Sequence, residues 1–145
     1  MEFRLANNND LDLLVDLEKQ YFKSPWTKEQ YYREINENEF SNNVLLIEDG
    51  SIVGYINYWI IFDQATINKI FILEEKRKFG YGQKLIDYAI EDIKKNDCII
   101  VTLEVRVSNL SAIKLYEKNN FKIIVRKKEY YSDKEDAFYV VRGVD

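Results

Sequence analysis

Residues 67–107 constrain the fold of this chain more than any other stretch. A β-rich run from Ile67 to Leu73 leads through Lys76-Arg77-Lys78-Phe79-Gly80-Tyr81-Gly82 into an amphipathic segment. There Leu85, Ile86, Ala89, Ile90 and Ile93 share one helical face, while Lys84, Asp87, Glu91, Asp92, Lys94 and Lys95 take the other. Cys98 to Val107 is again β-branched and apolar, and in its second half Leu103, Val105 and Val107 alternate with Thr102, Glu104 and Arg106. Two strands joined by one helix lie parallel in a sheet, and the crossover is right-handed. The spacing therefore predicts a helix packed on a sheet, with Glu104 on the strand face turned away from the core.

The rest of the chain extends that unit. Phe3 to Ala6 reads as a strand, and Asn9-Asp10 caps a helix carrying Leu11, Leu14, Val15 and Phe22. Ser24-Pro25-Trp26 breaks it, and Thr27 with Gln30 forms a capping box for a second helix to about Asn38, with Trp26 and Tyr31 as its hydrophobic staple. Val44 to Glu48, the Asp49-Gly50 turn and Ile52 to Phe62 read as a hairpin whose long strand continues the meander into Ile67 to Leu73. Ser108-Asn109 caps a helix from Leu110 to Asn119, with Ala112, Ile113, Leu115 and Tyr116 as its apolar arc, and Phe121 to Tyr130 and Ala137 to Val141 are the closing strands. The expectation is an α/β (α+β) fold, a mixed central sheet of about seven strands flanked by about four helices. No linker or repeat interrupts residues 1–145, which we read as one domain.

Composition removes many functions. The chain has no histidine, which excludes Ser-His-Asp and Cys-His nucleophiles and nearly every zinc or iron site, so no metal is expected. Any base must be a carboxylate, lysine, tyrosine, backbone group or water. A net charge of -4, from 21 Lys+Arg against 25 Asp+Glu, argues against nucleic-acid binding as the main activity. The Arg126-Lys127-Lys128 cluster reads as a solvated face. No apolar run approaches the ~20 residues of a membrane span. The N-terminus resembles neither a signal nor a transit peptide, and one cysteine forms no internal disulfide, so a cytoplasmic location is expected. Cys98 reads as an inert core thiol.

The glycine turn ahead of the amphipathic helix has two readings. A helix N-terminus offers free backbone N–H groups and a positive dipole end, an anion site for which phosphate is the usual occupant. Gly80 and Gly82 would let backbone approach that ligand, and Arg77 and Lys78 would attract it. A turn that needs positive φ and binds nothing satisfies the same pattern. No Lys-Ser or Lys-Thr follows Gly82, so this is no nucleotide-hydrolysing P-loop, and the third glycine of a dinucleotide fingerprint is missing.

Longer motifs carry a resemblance. Arg77-Lys78-Phe79-Gly80-Tyr81-Gly82 is similar to the R/Q-x-x-G-x-G/A signature of the GNAT acetyltransferases. Leu103-Glu104-Val105-Arg106-Val107-Ser108-Asn109, Ala112-Ile113-Lys114-Leu115-Tyr116-Glu117 and Asn120-Phe121 resemble that family's L-E-V-R-x-S-N, A-I-x-L-Y-E and G-F series. The form most similar is the RimI-type ribosomal-protein-alanine N-acetyltransferases and the related archaeal protein N-terminal acetyltransferases. Pro25-Trp26, Tyr130-Tyr131 and Glu135-Asp136-Ala137 agree in order, so the likeness spans nearly the whole chain. Asn120 departs from the family's glycine, and asparagine also accepts the left-handed conformation.

The resemblance implies an acetyl-CoA-dependent enzyme in which an amine attacks the thioester directly. It implies that the turn of Arg77, Lys78, Phe79, Gly80, Tyr81 and Gly82 grips the pyrophosphate, that the backbone of Ile70, Phe71 and Ile72 pairs with the pantetheine arm, and that Asn109 bonds the CoA. On its own Glu104 reads as a solvated strand glutamate and Tyr116 as a core tyrosine with a satisfied hydroxyl. The resemblance implies that Glu104 is the base and Tyr116 the acid that protonates the departing thiolate. The implied acceptor is a protein N-terminus, with a ribosomal protein foremost. A polyamine, an antibiotic or a lysine side chain is the alternative acceptor, and a non-catalytic CoA-binding module the alternative role. The acidic group Asp133, Glu135 and Asp136 suits either attraction of a basic peptide or a charged hairpin loop.

Overall fold

The computed structural model describes residues 1–144. Seven strands form one sheet in the order β1-β2-β3-β4-β5-β7-β6, with β1 Glu2–Leu5, β2 Ser41–Glu48, β3 Ser51–Ile61, β4 Gln64–Ile72, β5 Ile100–Arg106, β6 Lys122–Lys127 and β7 Ala137–Gly143. Four helices accompany it: α1 Leu11–Tyr21, α2 Lys28–Asn36, α3 Tyr81–Lys95 and α4 Leu110–Lys118. Neighbouring strands are antiparallel except β4 and β5, which are parallel. The expected element order and the mixed sheet are thus observed. Strand limits differ by a few residues, as at β4, which begins at Gln64 because the turn from β3 is a two-residue one at Phe62 and Asp63, with Phe62 at φ 56°.

Two apolar layers sandwich the sheet. On one face α3 buries Leu85, Ile86, Ala89, Ile90 and Ile93 against Val44, Leu46, Ile56, Val101 and Leu103, each worth about 1.5–3 kcal/mol for a fully buried large aliphatic. On the other, α1 and α2 set Leu11, Leu14, Leu17 and Tyr31 against Leu45, Ile47, Tyr55 and Phe71. The capping boxes form where their residues allow. Thr27 Oγ1 accepts from the Gln30 N–H (3.1 Å) and Gln30 Oε1 accepts from the Thr27 N–H (2.8 Å). At the end of α4, Asn120 adopts φ 69° where glycine was expected, and the Phe121 N–H returns to the Tyr116 carbonyl (3.1 Å).

The parallel pair opens almost as soon as it forms. Pairing covers Gln64, Ala65 and Thr66 against Ile100, Val101 and Thr102 and then stops. Immediately beyond, the β3–β4 register slips: Tyr58 faces Ile67 but Asn57 faces Lys69, leaving Asn68 as an extra residue. A bulge of this kind bends its strand, and here it turns β4 away from β5. Asn68 is held by a bond from its Nδ2 to Asn57 Oδ1 (3.0 Å). From Ile67 onward, β4 therefore has no ladder partner on its β5 side.

Candidate active site

The gap between the two strands is a cavity of about 680 Å³. Thr66 to Ile70 of β4 form one wall and Glu104 to Arg106 of β5 the other. Phe22 to Trp26 lie between α1 and α2, and Tyr130 to Ser132 between β6 and β7, across the mouth. Of the residues singled out from sequence, Ile70, Glu104, Asn109 and Tyr116 come together here. Phe71 and Ile72 continue the same strand outside the lining, with Phe71 in the core against α1. Arg77 to Gly82 form a separate turn at the start of α3.

Strand alternation puts Glu104 in the cavity while Leu103 and Val105 face the α3 layer. Its carboxylate is partnered, not loose in solvent: the Tyr130 hydroxyl donates to Oε2 (2.6 Å) and Lys127 Nζ to Oε1 (3.2 Å). That bond to Glu104, followed by burial, pushes the Tyr130 phenol up to about 12, so it stays a donor across the physiological range. The solvated-face reading of Arg126-Lys127-Lys128 holds for the exposed Lys128, whereas Arg126, although exposed, and the partly buried Lys127 are each paired with a carboxylate. Lys127 pairs with Glu104 and Arg126 Nε with Asp136 (2.6 Å), because β7 pairs with both β5 and β6 and so brings Lys127 and Glu104 to one face of the sheet on either side of it.

Tyr116 is buried on α4, its ring edge-on to Phe121 at 5.6 Å. The expectation of a core tyrosine with a satisfied hydroxyl holds for the ring only. Among the described residues its hydroxyl has no hydrogen-bond partner, and none of the fully buried side-chain polar atoms is left unpartnered. The Tyr116 oxygen therefore opens onto the cavity it lines. Burial raises its pKa well above that of a free phenol, which keeps the hydroxyl protonated across the physiological range. Asn109 caps α4, its Oδ1 accepting from the Ala112 N–H (3.3 Å), while also lining the cavity.

The turn before α3 is built on left-handed backbone. Gly80 sits at φ 81° as the N-cap of α3 with open space where a Cβ would stand, and Lys78 is also left-handed at φ 70°. No side chain caps the helix, so its first N–H groups have no side-chain acceptor. Gly82 has an ordinary helical φ and a different reason to be glycine: a Cβ there would come within 3.3 Å of Leu115 Cδ2 on α4. Arg77 is already engaged, donating from Nε to the Ile72 carbonyl (3.0 Å) and lying over the Tyr21 ring. Lys76 pairs with Glu48, which also accepts from Tyr81.

Two charged clusters at the cavity were missed from sequence. Arg106 donates from Nη1 to Asp133 (2.9 Å) and Glu135 (2.8 Å) and from Nη2 to Ser24 Oγ (3.0 Å), and stacks on the Tyr131 ring at 4.0 Å. Ser108 and then Arg106 hold the Glu135 carboxyl down to about 2. The acidic group is thus the clasp of the β6–β7 loop, and its charge is spent inside the chain. On the α1 side, Glu18 is fully buried and accepts from Lys69 Nζ (2.7 Å), the Trp26 N–H (3.1 Å) and the Tyr31 hydroxyl (2.5 Å). Burial pulls the Lys69 ammonium below the ordinary lysine range, against the opposing pull of Glu18. A signal for this pair existed: Glu18 falls four residues after Leu14 on the apolar arc of α1, and Lys69 interrupts an apolar strand. Cys98 is buried as expected, and burial raises its pKa.

Comparison with known proteins agrees with this arrangement. The model of the Acetyltransferase (GNAT) family matches residues 11–121. A candidate ribosomal protein bS18-alanine N-acetyltransferase of Bacillus subtilis is 39% identical over 129 residues, covering 88% of this chain and 85% of that protein. An N-alpha-acetyltransferase of Saccharolobus solfataricus is 30% identical over 152 residues, covering 96% and 90%. The crystal structure of Ard1 from Thermoplasma volcanium superposes with TM-score 0.89 at 26% identity, covering 99% and 97%. That of the Escherichia coli ribosomal-protein-S18-alanine N-acetyltransferase gives 0.89 at 24%, covering 99% and 94%, a likeness of fold. With the family model spanning residues 11–121 and relatives matched along nearly their full length, the chain belongs to the GNAT acetyltransferase family.

Proposed function

We propose that this protein transfers the acetyl group of acetyl-CoA to the N-terminal α-amino group of a protein, with a ribosomal protein as the leading acceptor. One observation carries the reading: Glu104 and the unpartnered hydroxyl of Tyr116 reach the same cavity, at the gap where β4 has no ladder partner. The residues present suit acetyl-CoA. The free edge of β4 from Ile67 to Ile72 can take the amide-bearing pantetheine arm as an added strand, and the uncapped start of α3 behind Gly80 suits its pyrophosphate. Asn109 stands at the cavity wall, where its side-chain amide can bond the cofactor. The relatives named as N-terminal acetyltransferases support the acceptor class.

In the reaction the acceptor nitrogen attacks the thioester carbonyl, the C–S bond breaks, and the acetyl carbon ends on nitrogen. An α-amino group has a pKa of about 7.7–8.0, so its proton needs only a nearby carboxylate, directly or through one water. Glu104 takes that role. Its oxygens each accept one bond, from Tyr130 and Lys127, and each retains a second lone pair. Tyr116 gives its proton to the sulfur as the C–S bond breaks; with a free-thiol pKa of about 8.5 against about 10 for a phenol the transfer is uphill in isolation, and it is completed when the phenoxide is reprotonated from solvent, which receives the proton the amine loses. Incubation with acetyl-CoA and an N-terminal peptide library, with the acetyl group located by mass spectrometry, tests the assignment. Acetylation of the α-amino group is expected, whereas acetylation confined to lysine side chains or small amines would replace the acceptor class. Glu104→Gln and Tyr116→Phe are each expected to lower turnover at least about tenfold while acetyl-CoA still binds.

A further inference from the structure

Lys69 lies on the cavity wall, nine-tenths buried, and the acetyl-transfer chemistry makes no use of it. An ammonium has three N–H donors. One goes to Glu18 Oε2 at 2.7 Å, and the other two directions are occupied by the faces of Phe22 and Trp26, whose ring centroids are 4.0 and 4.8 Å from Nζ. With its donors spent, Lys69 is built to hold protein, not ligand. What it holds is residues 22–26, the segment between α1 and α2 that closes the cavity on the side Glu104 faces. Further polar ties of that segment are the Phe22 N–H to the Glu18 carbonyl, the Trp26 N–H to the Glu18 carboxylate, Arg106 Nη2 to Ser24 Oγ, and Lys23 to Glu135, and the Phe22 and Trp26 rings also pack on Phe71 and Tyr31. The segment is therefore pinned by one cation from each of the two strands that part to make the site: Lys69 from β4 and Arg106 from β5.

We propose that Lys69 is a positioning residue for acceptor binding: through Glu18, Phe22 and Trp26 it fixes residues 22–26 as the acceptor-side wall of the cavity. This rests on the preceding reading, in which Glu104 takes the proton of the acceptor amine: residues 22–26 line the same cavity, and Ser24 is bonded to Arg106, two residues along β5 from Glu104. The thioester site is bordered by the β4 backbone and α4, so loosening the 22–26 wall changes how the acceptor is held and leaves the cofactor untouched.

The test is steady-state kinetics on Lys69→Met, on the neutral double variant Glu18→Gln/Lys69→Met, which removes the cation without stranding a buried carboxylate, and on Lys69→Arg. With the peptide that wild type acetylates best, the double variant is expected to raise peptide KM about tenfold or more, with kcat and acetyl-CoA KM each within about twofold, the pattern of lost ground-state binding. Lys69→Arg is expected to recover part of the loss. An unchanged peptide KM in a folded double variant, or equal rises in both KM values, would overturn the assignment. A second readout does not need activity. In a Trp59→Phe background Trp26 is the sole tryptophan, and its emission is expected to shift to the red when Lys69→Met frees residues 22–26. If wild type acetylates no peptide, the acceptor reading fails by itself, while Trp26 emission still decides Lys69: an unchanged spectrum would reject it.

Discussion

Glu104 shows how little local sequence says about a side chain's partners. Alternation along β5 aims it away from the core, but Tyr130 and Lys127, the two groups on its oxygens, come from 26 and 23 residues downstream and meet it only when the β6–β7 hairpin closes. Removing the Tyr130 hydroxyl leaves Oε2 free to swing. Tyr130→Phe is therefore expected to lower kcat/KM for peptide severalfold, with acetyl-CoA affinity unchanged by calorimetry, because the bond orients the Glu104 carboxylate that we propose as the base. The Glu18–Lys69 pair gives a stability prediction at the same scale. Lys69→Met alone strands a fully buried carboxylate and is expected to cost about 3–5 kcal/mol in denaturant unfolding, whereas the neutral double variant recovers most of it.

Between elements, the packing of α3 on α4 decides the glycine pair. Gly80 needs its left-handed φ, while Gly82 gives room to Leu115, and Gln83 and Asn119 exchange amide hydrogen bonds (2.7 and 2.9 Å) across the same contact. Gly82→Val forces a branched side chain into a 3.3 Å space. It is expected to destabilise by about 1–3 kcal/mol and to weaken acetyl-CoA binding far more than peptide affinity, since the displaced turn is the one we propose for the pyrophosphate. At the other end of the sheet, Thr27→Ala removes half of a reciprocal cap and is expected to cost about 1 kcal/mol, read as a lower denaturation midpoint with unchanged slope.

Across the whole molecule, charge is organised as internal clasps. Glu135 is held down to about 2, and Asp10, Asp133 and Asp136 are also lowered, each by a bond to arginine or to a backbone N–H. A carboxyl whose folded pKa lies below its unfolded value of about 4 stabilises fully above that value, and the stabilisation drains as pH falls through the folded pKa. Unfolding free energy is therefore expected to fall between about pH 4.5 and 2. The Arg106–Asp133–Glu135 clasp should open as this happens, seen as loss of amide-exchange protection in residues 130–136. Stability unchanged down to pH 2 would contradict these clasps. With no histidine in the chain, no side chain has an unperturbed pKa between 5 and 8, and stability is expected to be nearly flat from pH 5 to 7.

Periodicity, caps and turn residues are local properties, and they sufficed for the order of the seven strands and four helices, the parallel β4–β5 pair, the αL role of Asn120 and the placement of Glu104 off the core. The motifs around residues 77–82 and 103–121 added the family. They could not show that β4 bulges at Asn68 and leaves β5, since a bulge is a mismatch between two strands and neither carries it alone. Nor could they show that Lys127 belongs to Glu104, Arg106 to the acidic loop, or Lys69 to Glu18. Residues 51 or 29 apart interact only because packing removes water between them, and a charge finds a fixed partner only in the low-dielectric space that the folded sheet encloses.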